Sequence, residues 1–94
     1  ALRGTGKNDE AMEVRREMVG LIDRVEQARG GLSPSLVTDR ESLLASLAQG
    51  HRFGRSALAV EAGERLRLVV TDPGLRTDIE RDLAAAREEA ARPR

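Results

Sequence analysis

Apolar residues fall at Ala11, Val14, Met18, Leu21, Val25 and Ala28, spaced three and four apart without a break. Residues at that spacing share one stripe of an α-helix, so the pattern predicts a helix that buries those six side chains. Asn8 stands where a capping residue would, Asp9 and Glu10 suit the positive end of the helix dipole, and Gly30-Gly31 ends the run. Gly20, inside it, costs roughly 1 kcal/mol relative to Ala. Written as heptads, the six apolar residues are a and d, Glu17 and Arg24 are g, and Ile22 and Arg29 are the following e positions. A parallel pair would set Glu17 against Ile22 and Arg24 against Arg29, with no attraction in either. An ordinary packed helix is therefore expected, and the face of Met18, Leu21 and Val25 is where a second copy would pair if the chain forms a homodimer.

Leu32 to Val37, with Ser33-Pro34, reads as a connector. Thr38-Asp-Arg-Glu41 has the form of a capping box, and Leu43, Leu44, Leu47 and Ala48 supply the apolar face of a second, shorter helix. Gly50 is a natural stop. His51 to Arg55 is a basic loop containing Phe53 and Gly54.

Beyond that loop the period changes to two. Leu58 and Val60 alternate with Ala57, Ala59 and Glu61, while Leu66, Leu68 and Val70 alternate with Arg65, Arg67 and Val69. The pattern predicts two strands, 57–61 and 65–70, turning at Ala62-Gly63-Glu64. Pairing Glu61 with Arg65 sets Val60 opposite Leu66 and Leu58 opposite Leu68, with opposite charges on the outer face. Thr71-Asp-Pro-Gly74 stops the second strand. The last helix starts either at Asp72 with Pro73 in its first turn or at Thr77-Asp-Ile-Glu80, and its inner stripe is Ile79, Leu83, Ala86 and Ala90. The expected fold is a small single α+β domain ordered helix, helix, β-hairpin, helix. It spans residues 8–91, between a flexible lead at 1–7 and a fraying tail at 92–94.

Composition fits one modest core: 94 residues, 39% hydrophobic and 34% charged. Phe53 is the only aromatic residue. Few rigid anchors are left for a deep ligand pocket. The 16 basic and 16 acidic residues balance, which argues against a non-specific nucleic-acid binder. Cysteine is absent, so there is no disulfide framework. No apolar run is long enough to cross a bilayer, and a cytoplasmic location is expected.

The residues offer little chemistry. His51 is the only imidazole and no G-x-S-x-G elbow is present, so nothing activates a nucleophile. One histidine cannot make a zinc site, and no calcium loop appears. Gly4-Thr-Gly-Lys7 lacks the upstream glycine spacing, the preceding strand and the Ser or Thr of a phosphate loop. Asp78, Glu80 and Asp82 alternate with arginines as on a solvated helix face. The chain is expected to hold no metal or cofactor and not to be an enzyme.

What stands out is a basic cluster. Arg52, Arg55, Arg65 and Arg67 face only Glu61 and Glu64, an excess of about two positive charges over residues 51–71. Arg65 and Arg67, two apart, would share one strand face. These four arginines with Val69 form the expected partner-binding edge. An exposed hairpin strand accepts a peptide through main-chain bonds while arginines clamp its carboxylates. The expected function is a non-catalytic protein–protein interaction module; a nucleic-acid-associated homodimer is the second reading.

Leu43-Leu44-Ala-Ser-Leu47, Glu61-Ala-Gly-Glu-Arg-Leu-Arg-Leu-Val69 and Leu75-Arg-Thr-Asp-Ile-Glu-Arg-Asp-Leu-Ala-Ala84 together resemble the β-hairpin docking domains of nonribosomal peptide and polyketide synthase subunits. The resemblance covers roughly 39–90. It implies a helix with a Leu-Leu pair, a short hairpin and a closing helix that bind an acidic segment of an upstream subunit. His51 to Ser56 is longer than that family's link, the aromatic residue common there is missing, and 1–37 has no counterpart. Val70-Thr-Asp-Pro-Gly-Leu75 with Leu83-Ala-Ala-Ala86 also resembles YbaB-type nucleoid-associated proteins, though the helix over 38–50 does not fit their plan.

Overall fold

Ser33 and Asp72 each start a helix in the same way. The side-chain oxygen of each accepts the N–H three residues on, from Leu36 at 3.4 Å and from Leu75 at 2.8 Å. A proline follows each cap, its fixed φ suited to the first turn and its missing N–H unneeded there. The computed structural model describes the backbone of residues 2–92 and the side chains of residues 10–52 and 54–92. Its elements are α1 (Leu2–Arg29), α2 (Pro34–Leu47), a 3-10 turn (Gly50–Phe53), α3 (Ser56–Val69) and α4 (Pro73–Ala91). Beyond Arg92 the tail expected to fray lies outside the described residues.

The chain is all-helical, with no strand among the described residues, and the expected α+β class is overturned. Residues 57–61 and 65–70, expected to pair as a hairpin, run through one helix and its end. The buried residues of α3 are Ser56, Ala59, Ala62, Gly63 and Leu66, a helical spacing built almost wholly from small side chains. The alternation of Leu58, Val60, Leu66 and Leu68 drew on larger residues, but Leu68 is exposed and of the four only Leu66 is buried. Ala, Leu, Glu and Arg fill most of α3, and all favour helix. Without a hairpin the likeness to β-hairpin docking domains fails, and so does the sheet that a YbaB-type plan requires.

Other boundaries move less. α1 begins at Leu2, so Asn8 lies within the helix rather than capping it. Gly30, at φ +75, closes α1 in the left-handed conformation, its N–H donating to Glu26 O at 2.8 Å. α2 starts at Pro34, which places Thr38 inside it rather than at its cap. Of the two starts open for α4, the structure takes Asp72.

The core joins Met12 and Val19 of α1, Leu44, Leu47 and Ala48 around the end of α2, Ala62 and Leu66 of α3, and Ile79 of α4. Leu83 and Ala86 of α4 are buried against α3, and Ala90, the last residue of the expected stripe, is exposed. No large side chain among the described residues is sealed completely, so the core is thin.

The face of α1 that turns inward is not the expected one. Met12, Val19 and Ile22 are buried, whereas Val14, Met18 and Leu21 are 53%, 45% and 56% exposed. Apolar residues cover a wide arc of this helix, wider than its neighbours can shield. α1 has 28 residues and α2 only 14, so α2 runs out halfway.

Candidate interaction surface

The arginines expected to line one edge are dispersed. Arg52 lies in the 3-10 turn, Arg55 at the start of α3, Arg65 and Arg67 along α3, and Val69 at its last position. Two residues apart on a helix point to nearly opposite sides, so Arg65 and Arg67 do not share a face.

Three of the four are held by acidic groups from distant parts of the chain. Arg65 makes a bidentate pair with Asp23 of α1, Nη1 to Oδ2 at 3.0 Å and Nη2 to Oδ1 at 2.9 Å. Arg55 donates to Glu13. Arg52 stands 3.8 Å from Asp82, which also faces His51 Nε2 at 3.4 Å. Arg67 enters no ion pair among the described residues, and Val69 is half exposed.

Arg40 of α2 joins the Asp23 cluster. It donates to Asp23 Oδ1 at 3.0 Å and to Glu26 at 2.9 and 3.3 Å, so one carboxylate bridges two guanidinium groups from two helices. The hydrogen bond from Arg65 holds Asp23 below the usual carboxylate range, with Arg40 adding to it against partial desolvation. The hydrogen bond from Arg40 likewise lowers Glu26, and the Glu26 and Asp23 carboxylates raise Arg40. This network fastens α1 across α2 and α3. Its members pair with one another.

Apolar surface is concentrated elsewhere, along the outer side of α1 where α2 meets it. A groove of about 510 Å³ runs between Met18, Leu21 and Ile22 of α1 and Leu36 and Leu43 of α2. A second, of about 470 Å³, continues past Ala11, Val14 and Met18. Met18 and Leu43 line both, so the two form one shelf. Glu17 and Arg24 are exposed on α1 beside it, and neither enters an ion pair among the described residues.

The shelf includes Ala11, Val14, Met18 and Leu21, four of the six residues that the heptad spacing of α1 picks out. What the sequence did not reveal is its direction, because Met12, Val19 and Ile22 also recur at helical spacing. Leu43 is visible in the sequence as part of the apolar face of α2, whereas Leu36 falls in the stretch that reads as a connector.

No group of three or more His, Asp or Glu side chains among the described residues is arranged to hold a metal ion. No described helix is long and apolar enough to cross a membrane. Comparison of the chain with protein-family models, with curated proteins and with solved structures finds no match.

Proposed function

We propose that this chain is a non-catalytic protein–protein interaction module that seats an amphipathic helix on the α1–α2 shelf. One observation carries the reading: Val14, Met18 and Leu21 lie exposed in a row, beside the half-buried Leu43. Isolated exposed apolar residues are ordinary, but a contiguous strip rimmed by charge marks an interaction site. A helix laid along α1 would place side chains into the two grooves at every third or fourth residue, the geometry of helix-in-groove recognition.

The test is a fluorescence-anisotropy titration with a synthetic helical peptide carrying Leu at every a and d position and Glu and Lys elsewhere. Saturable binding to the native chain is expected. Met18→Lys with Leu21→Lys should abolish it while helical circular dichroism stays near the native value, because both side chains are already half in water in the single chain. A native chain that is monomeric and still never binds the peptide overturns the reading.

A further inference from the structure

The rim of the shelf identifies its occupant. The six stripe residues of α1 read the same from either end in size: Ala11 and Ala28 outermost, Val14 and Val25 next, Met18 and Leu21 at the centre. A partner running antiparallel, with a two-fold axis midway between Met18 and Leu21, brings all six into contact at once, as an in-register parallel partner also would; the charges beside the stripe decide between the two. Each antiparallel layer joins residues of similar bulk, Ala with Ala, Val with Val and Met with Leu. Slipping the register by a heptad leaves two of the six residues of each copy without a partner.

The charges agree. In an antiparallel pair the g positions face one another. Side chains on a helix lean toward its N-terminus, so Glu17 of one copy and Arg24 of the other lean together from opposite directions. The two-fold axis repeats the pair, giving two attractive contacts from two residues that have no partner among the described residues of their own chain. Parallel packing loses this: Glu10 would meet Arg15, but Arg24 would meet Arg29 and Glu17 would meet Ile22. On the opposite flank, where the e positions lie, each α1 is covered by its own α2. Leu36 and Leu43 thereby border the seam and would close it as a four-helix arrangement.

From this complementarity we infer that the shelf is filled by α1 of a second copy, antiparallel and in the register that pairs Glu17 with Arg24. The inference rests on the shelf's being a helix-binding site and names the helix. A thin core gains from such pairing, since each copy shields the other's half-exposed strip.

Sedimentation equilibrium of the full chain tests it. The native chain is expected to be a dimer. Arg24→Glu and Glu17→Arg should each weaken dimerisation about tenfold, as two attractive contacts become repulsive, and the double reversal should restore it. Both side chains are exposed, so the variants keep the fold. A strengthened or unchanged dimer in Arg24→Glu overturns the antiparallel register, and a native chain that remains monomeric overturns self-association. A monomer that still binds the synthetic helix would leave the binding site standing without this occupant.

The chain has no cysteine, so disulfide trapping gives a second readout. A mixture of Val14→Cys and Val25→Cys chains should cross-link on oxidation, while Val14→Cys alone should not. Efficient self-linking of Val14→Cys would mean a parallel pair and overturn the inference.

Discussion

Leu83 of α4 occupies the space that a side chain at Gly63 of α3 would need: a Cβ at position 63 would stand 3.1 Å from Leu83 Cδ1 and 3.5 Å from Leu83 Cβ. Both residues are buried, and Ala59 and Ala86 nearby are fully shielded from solvent. The α3–α4 interface is a close approach of two backbones, made possible by small residues.

Gly63→Val should therefore destabilise the fold by about 1–3 kcal/mol, the usual cost of overfilling a packed interior. Thermal unfolding is the measurement. For a chain of this size each kcal/mol corresponds to a fall of about 4–8 °C in Tm.

Gly20 on α1 is the opposite case. A Cβ there meets nothing within 4 Å, and the backbone is helical. Gly20→Ala should stabilise by roughly 0.5–1 kcal/mol, because alanine loses less backbone freedom on entering a helix. Tm should rise, and helical circular dichroism should be unchanged.

These two glycines show why the fold was only partly legible in the sequence. α1, α2 and α4 were visible because apolar residues recur at helical spacing along them, although of the expected caps only Asp72 stands at a helix start. α3 was hidden because its buried side is Ser56, Ala59, Ala62, Gly63 and Leu66, residues that a search for bulky apolar positions passes over. Gly63 then looked like a turn, although the reason for glycine there lies on α4. The arginines were found but not their partners. Asp23 is 42 positions from Arg65, and nothing local links the two.

The charge network on α1 makes stability depend on acid. Asp23 and Glu26 have lowered pKa values in the fold, so the unfolded chain takes up protons first as pH falls. Their contribution is complete above about pH 5 and is lost as pH drops through the folded pKa values, below the ordinary range of about 4. Tm should decline over that window, and more gently in Asp23→Asn. At neutral pH that substitution should cost on the order of 1 kcal/mol, since the pairs are partly exposed, and less as salt is added.

Asp72 anchors the start of α4 through its bond to the Leu75 N–H. Asp72→Ala should cost about 1 kcal/mol by leaving that donor without its protein partner. Asp72→Ser or Asp72→Asn should recover most of the loss, which denaturant titration would detect as a shift in midpoint at constant slope.

The ion-paired attachment of α1 divides the molecule by what holds it. α3 and α4 are joined mainly by uncharged atoms in close contact, which ionic strength barely affects, with one exposed ion pair, Arg87 to Glu64 at 3.0 Å, beside them. α1 is moored to α2 and α3 partly by Arg40, Arg55 and Arg65, and dissolved ions compete for those moorings. Concentrated salt should thus loosen the first helix ahead of the last two, and backbone amides of α1 should exchange with solvent earlier than those where Gly63 meets Leu83.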